Sequence, residues 1–176
     1  MAIGVACVQK TGLLAFSDQN LGHRVLDEGS WVIIVPLSGL LGVGMNVFVY
    51  GSLLVPLVFE SLTGVARQGV PALLQGYARY PLSGEVYPGL MEASGAATIG
   101  LLLGDISPLM LERLDQFEGD AYERRSVDVL SLKGFIVSAE TYILKACRRN
   151  QIVAAPWDFE VFVSEKRWKR MEDGPF

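Results

Sequence analysis

Charge is spread unevenly along this 176-residue chain, and the unevenness limits where a folded domain can lie. Residues 1–44 carry five charged side chains, Lys10, Asp18, Arg24, Asp27 and Glu28, and residues 45–176 carry the other twenty-nine. The second part, at roughly one charge in five, is close to normal for a globular domain; the first is at about half that. Trp31 to Tyr50 holds no charge at all, and a run of about twenty residues is long enough on paper to cross a bilayer. Pro36, Ser38, Gly39, Gly42 and Gly44 interrupt the run, and its last five residues, Asn46 to Tyr50, read better as a strand. The remaining stretch is too short to span untilted. The residues ahead of it are mixed and contain acids, unlike a secretory signal or an organelle transit peptide. The reading is therefore an N-terminal extension over 1–44, upstream or accessory to a domain at 45–176. A membrane role is argued against, and a cytoplasmic location is expected.

Composition narrows the chemistry. With 51% hydrophobic residues the chain can bury a core, which excludes disorder. A net charge of −4 and a pI near 5.0 argue against a nucleic-acid binder that works by neutralising phosphates. Two cysteines, Cys7 and Cys147, make neither a disulfide framework nor a four-thiolate zinc site. His23 is the single histidine, which argues against a His-rich metal site or a Ser-His-Asp triad. Any reaction must run on carboxylates, hydroxyls, backbone amides or arginines, with no metal and no cofactor expected.

Within 45–176 the pattern predicts a strand at Val47–Tyr50 ending in a turn at Gly51, then a helix over 56–62 opened by Pro56 and closed by Gly64. Strands are expected at Ala72–Tyr80, at Glu85–Tyr87 across the turn Pro81 to Gly84, and at Ala97–Leu103, the last buried on both faces. The clearest helix starts after Ser107 as N-cap, with Pro108 at its first position. Met110, Leu111, Leu114 and Phe117 recur at helical spacing, and Gly119 caps its end. Strands at 123–131 and 135–144 flank a Lys133-Gly134 hairpin. A last helix is expected over 157–171, anchored by Trp157, Val161 and Trp168. Strands outnumber helices without alternating regularly with them, which favours an α+β fold.

Three segments could carry chemistry. In Val49-Tyr50-Gly51-Ser52-Leu53-Leu54 a strand runs into a glycine turn ahead of a Pro-started helix. Such a turn can aim backbone N–H groups at one point, and Gly51 lets a ligand approach the main chain. In Leu114–Arg125, Glu118 falls in the last turn of a helix. There the macrodipole and desolvation by Phe117 would both raise its pKa towards that of a general base. Tyr80–Leu90 holds two aromatic–proline turns. Each segment alone also reads as an ordinary structural corner.

Together, in this order, they resemble the short members of the gamma-glutamylcyclotransferase-like family. The matching stretches are VFVYGSL at 47–53, GYARYPLSGEVYPGL at 76–90, the G-x-L strand at Gly100, LDQFEGDAYERR at 114–125, AETYIL at 139–144 and APWDFEVF at 155–162. The resemblance covers 45–176 and none of 1–44. It implies a small mixed β-barrel flanked by helices, with a cavity at the barrel mouth. It also implies cyclisation of the γ-glutamyl group of a small γ-glutamyl amine or amino acid to 5-oxoproline, releasing the amine. On this resemblance Glu118 is the catalytic acid/base, and Val49 to Leu54 form the substrate-binding loop. Tyr87 and Tyr122 then fall at aromatic cavity positions. The expected partner is a small γ-glutamyl substrate, with the oligomeric state left open. The competing reading is a non-catalytic binder of a small carboxylate or amine metabolite on the same scaffold. The composition step makes one prediction: residues 45–176 alone should give a soluble protein with a cooperative thermal transition. Aggregation or loss of that transition in a melt would place 31–44 in the core.

Overall fold

The computed structural model describes Ala6–Val8, His23–Asp27, Ser30–Ile33 and residues 44–171. Chain contacts divide it into two units, Met1–Gly42 and Val43–Phe176. In the first, β1 (Ala6–Val8), β2 (His23–Asp27) and β3 (Ser30–Ile33) pair antiparallel in the order β1-β3-β2. The sequence pattern announces none of these short strands. Residues 34–43, the middle of the uncharged run, lie outside the described residues.

The second unit is a closed barrel of five strands: β4 (Met45–Val49), β5 (Val70–Pro81), β6 (Pro88–Ile106), β7 (Tyr122–Ser131) and β8 (Ile136–Leu144). Their order around the barrel is β4-β6-β5-β7-β8, and a parallel contact between β4 and β8, Val47 opposite Glu140, closes it. All other neighbours run antiparallel, so the barrel is mixed. Helix α1 (Pro56–Thr63) follows β4, α2 (Pro108–Glu118) follows β6, and α3 (Phe159–Ser164) comes near the end. Among the described residues no helix is long and apolar enough to cross a membrane.

The strand period of two sorts apolar side chains into two layers. Phe48, Tyr50, Leu74, Leu90, Val129 and Ile143 form one cluster, drawn from every strand and filling the barrel interior. Val47, Val49, Leu103, Tyr142 and Leu144 belong to a second cluster with Val58, Phe59, Leu111 and Leu114, where the helices cover the barrel. Helix α2 begins and ends where its caps place it: the Ser107 hydroxyl accepts from the Met110 N–H at 3.3 Å, and the chain turns at Gly119 with φ +59.

Three expectations need correction. Glu85–Tyr87 is not a strand. The Glu85 N–H closes a turn on the Leu82 carbonyl (3.1 Å) and the Ser83 N–H bonds the Gln151 carbonyl (2.7 Å), so this backbone is satisfied without a ladder. Ala97–Leu103 belongs to a single 19-residue strand and is not buried on both faces. Ile99 is 67% exposed because a barrel strand turns alternate residues outward. The C-terminal segment is not one helix over 157–171. Asp158 caps α3 by accepting from the Val161 N–H at 3.0 Å, and Lys166, at φ +53, breaks it before a 3-10 turn at Arg167–Met171. Its anchors are Trp157 and Phe162, whose rings lie 5.3 Å apart, while Val161 and Trp168 are only half-buried. Phe162 is 1% exposed. Phe162→Ala should therefore cost about 3–5 kcal/mol, read as a fall in the urea midpoint with unchanged slope.

Candidate active site

Strand β4 ends at Val49, and the chain turns through Tyr50 and Gly51 into a 3-10 turn, Ser52–Leu54, ahead of Pro56. On one side of this turn stands the 84–88 loop, and on another the end of α2. Between them lies a cavity of about 460 Å³. Val49, Tyr50, Gly51, Ser52 and Leu53 line it, as do Tyr87, Glu118 and Tyr122. Leu54 is not in its wall: it is half-buried, packs on the helix-side core, and commits its N–H to the Gly51 carbonyl at 3.0 Å. The Val55 N–H is likewise taken by the Ser52 carbonyl at 3.0 Å, so the amides that these two turn bonds leave unengaged are those of Gly51, Ser52 and Leu53.

Gly51 does not occupy a left-handed turn; its φ is −120°. What requires glycine is space, since a Cβ there would sit 3.0 Å from Cγ of Pro88, itself in the cavity wall. A side chain at 51 would thus push on the barrel and on the site at once.

Glu118 is the last residue of α2, and its carboxyl reaches a space walled by Phe117, Ala121, Tyr122 and Tyr142. Burial pushes its pKa up to about 8. Of the two causes read from sequence, desolvation and the helix dipole, desolvation is the one that raises it. A smaller cleft of about 230 Å³, lined by Asp115, Arg124 and Gly119, opens on Glu118 from another direction.

The tyrosines around this carboxyl give their protons to the protein. The Tyr50 hydroxyl donates to the Tyr142 carbonyl (2.6 Å), and the Tyr122 hydroxyl to the Pro88 carbonyl (2.8 Å). The Tyr142 hydroxyl donates to Asp115 Oδ1 (2.8 Å), which also holds Arg124 Nε at 3.1 Å. Burial raises all three phenols well above their usual range, so they stay neutral. Tyr87, nearer solvent, is pushed up to about 12 by burial and by its hydrogen bond to Glu85. Tyr122 therefore offers a ligand its ring and not its proton.

Sequence reasoning passed over Tyr142 and Glu85 as wall residues. Tyr142 sits in the quoted AETYIL strand, but only the barrel's closure shows that it faces α2. Among the described residues no group of three His, Cys, Asp or Glu side chains could hold a metal ion.

Residues 47–169 match the family described as gamma-glutamyl cyclotransferase, AIG2-like. Protein AIG2 C of Arabidopsis thaliana is 35% identical over 116 residues, covering 65% of this chain and 70% of the relative. A solution structure of an Arabidopsis thaliana protein superposes with a TM-score of 0.59 at 33% identity, covering 73% of this chain and 78% of the other. A solved gamma-glutamyl cyclotransferase shares the fold, with a TM-score of 0.55 at 15% identity over 74% of this chain and 88% of that one. The closed mixed barrel gives the class of fold, and the chain belongs to the gamma-glutamyl cyclotransferase, AIG2-like family.

The buried carboxyl has a thermodynamic signature. The folded protein holds the Glu118 proton up to about pH 8, whereas the unfolded chain releases it near pH 4.5. Across that window the folded state binds more protons, so stability falls as pH rises, by up to about 1.4 kcal/mol per unit. Glu118→Gln removes this dependence. Its stability relative to the parent should climb from pH 5 to pH 8 and level off above; a constant gap in urea titrations would mean the carboxyl is solvated.

Proposed function

We propose that this protein cyclises the γ-glutamyl group of a small γ-glutamyl amine or amino acid, releasing 5-oxoproline and the free amine. The observation that carries the reading is one desolvated carboxyl, Glu118, in the same cavity as the backbone amides of 51–53. Those amides suit the substrate's α-carboxylate, which needs donors and no side-chain cation. The cavity then folds the substrate so that its own α-amine lies against its γ-carbonyl, a proximity effect that substitutes for a protein nucleophile.

Glu118 takes a proton from the α-ammonium, and the freed amine attacks the γ-carbon. As the bond from that carbon to the leaving nitrogen breaks, Glu118 returns a proton to that nitrogen, and the second proton shed by the new ring nitrogen passes to the released amine, which departs as an ammonium. A pKa of about 8 lies between those of an ordinary carboxyl and an amine, which suits an acid that must gain and lose the same proton. The tyrosine hydroxyls, engaged with the protein, exclude water around the carboxyl without competing for this proton.

The test is incubation with a panel of γ-glutamyl compounds, with 5-oxoproline as the readout. The parent protein should release it, with kcat/KM rising towards pH 8 as Glu118 ionises. Glu118→Gln should lower kcat by about 10²–10⁴-fold with KM nearly unchanged. Near-parental turnover in that variant would remove Glu118 from the mechanism. Ligand binding without 5-oxoproline from any compound would favour the non-catalytic reading.

A further inference from the structure

Arg79, on β5, is absent from the cavity wall, yet it holds that wall from behind. Its Nη1 donates to the Tyr50 carbonyl at 2.8 Å, and its guanidinium lies over the Trp157 ring, 5.3 Å from the centroid. Trp157 in turn donates from Nε1 to the Val86 carbonyl at 3.2 Å. Tyr50 and Val86 both line the cavity. One cation and one indole thus join the 50–53 turn to the 84–88 loop. Asp158 lies near enough to favour the charge that burial would otherwise disfavour, and a guanidinium keeps its proton throughout the working pH range.

The Tyr50 carbonyl and the Gly51 N–H are two ends of one peptide plane. No cis peptide occurs among the described residues, and in a trans peptide the N–H points away from the C=O. A carbonyl gripped from outside the cavity therefore sends the Gly51 N–H inward. A charge-assisted hydrogen bond is stronger than a neutral one, and it polarises the peptide so that the N–H becomes a better donor.

We propose that Arg79 is a positioning residue: braced on Trp157, it fixes the Tyr50–Gly51 peptide so that the Gly51 N–H is presented to a ligand carboxylate. This rests on the reading of the cavity as a γ-glutamyl site, and it adds a side chain that never touches the ligand. Sequence reasoning could not have found it, because Arg79 and Trp157 are far apart in the chain.

The experiment compares the parent protein with Arg79→Met, which keeps the length of the aliphatic stem and loses the donor and charge. In free, ¹⁵N-labelled protein, the residual dipolar coupling of the Gly51 N–H reports the direction of that bond. It should change in Arg79→Met while the couplings of the barrel strands do not. Two probes are then titrated, 5-oxoproline and 2-pyrrolidinone, the same lactam without its carboxylate. Arg79→Met should weaken 5-oxoproline by about 10-fold to 100-fold, the range for losing one hydrogen bond to a charged group, and leave 2-pyrrolidinone unchanged. An unchanged Gly51 coupling, or equal weakening of both probes, overturns the proposal even if 5-oxoproline binds the parent tightly. If the parent binds neither probe, the γ-glutamyl reading fails, and the Gly51 coupling still decides whether Arg79 sets the peptide. Should Arg79→Met not fold, Arg79→Lys, with a charge but no planar fork, must give the same carboxylate-only loss in smaller measure.

Discussion

Everything at the barrel mouth depends on the joint between β4 and β8. It is the one parallel contact in an otherwise antiparallel barrel, and the Thr141 hydroxyl secures it by donating to the Phe48 carbonyl at 2.8 Å in a buried position. Without that joint, β4 would have only β6 as a ladder neighbour. The turn at Tyr50–Leu53 would then have no fixed relation to Tyr142 or to α2. With it, a strand near the start of the barrel domain lies against the last strand, and the two segments that carry the candidate chemistry meet although sixty-odd residues separate them.

A carboxyl in such a place is held at a cost. Glu118 is desolvated by burial, and among the described residues no cation forms an ion pair with it; the ion pair of Asp115 with Arg124 serves Tyr142 instead. A group that only needed to cap a helix or bind a cation would be stabilised by a partner. Here the environment keeps the proton loosely poised, which is destabilising for the fold and useful for moving protons. The hydroxyls of Tyr50, Tyr122 and Tyr142 around it each have a hydrogen-bond partner in the protein.

How much of this is legible in the sequence follows the range of the interactions. Helix α2 could be read to its ends, because Ser107, Pro108 and Gly119 act on their immediate neighbours. Glu118 could be singled out because its position before that capping glycine is local too. The hairpin at Lys133-Gly134 is of the same kind, with Gly134 at φ +82. The segment 85–87 could not be read: its β-branched and aromatic residues favour a strand, but the Gln151 carbonyl, far along the chain, claims the backbone beside it. Leu54 differs in the same way, being sequence-adjacent to the cavity loop yet turned into the core by a 3-10 hydrogen bond. Arg79 and Trp157 each look unremarkable in their own segment and acquire meaning only as a pair.

The commitment of the tyrosine hydroxyls bears on how such a site can change over generations. Three of them tie strand to strand or strand to helix around Glu118, so the side-chain polarity that many pockets direct at a ligand is here used to keep the pocket's outline. What remains for recognition is mainly main-chain amides, the Ser52 hydroxyl and one acid. Main-chain amides are the same whatever residue bears them, and no point mutation can retune their chemistry, only their direction. Divergence in what this scaffold accepts must therefore run through contour, the bulk and tilt of residues such as Val86, Tyr87 and Phe117, while the amides proposed to hold a carboxylate stay fixed.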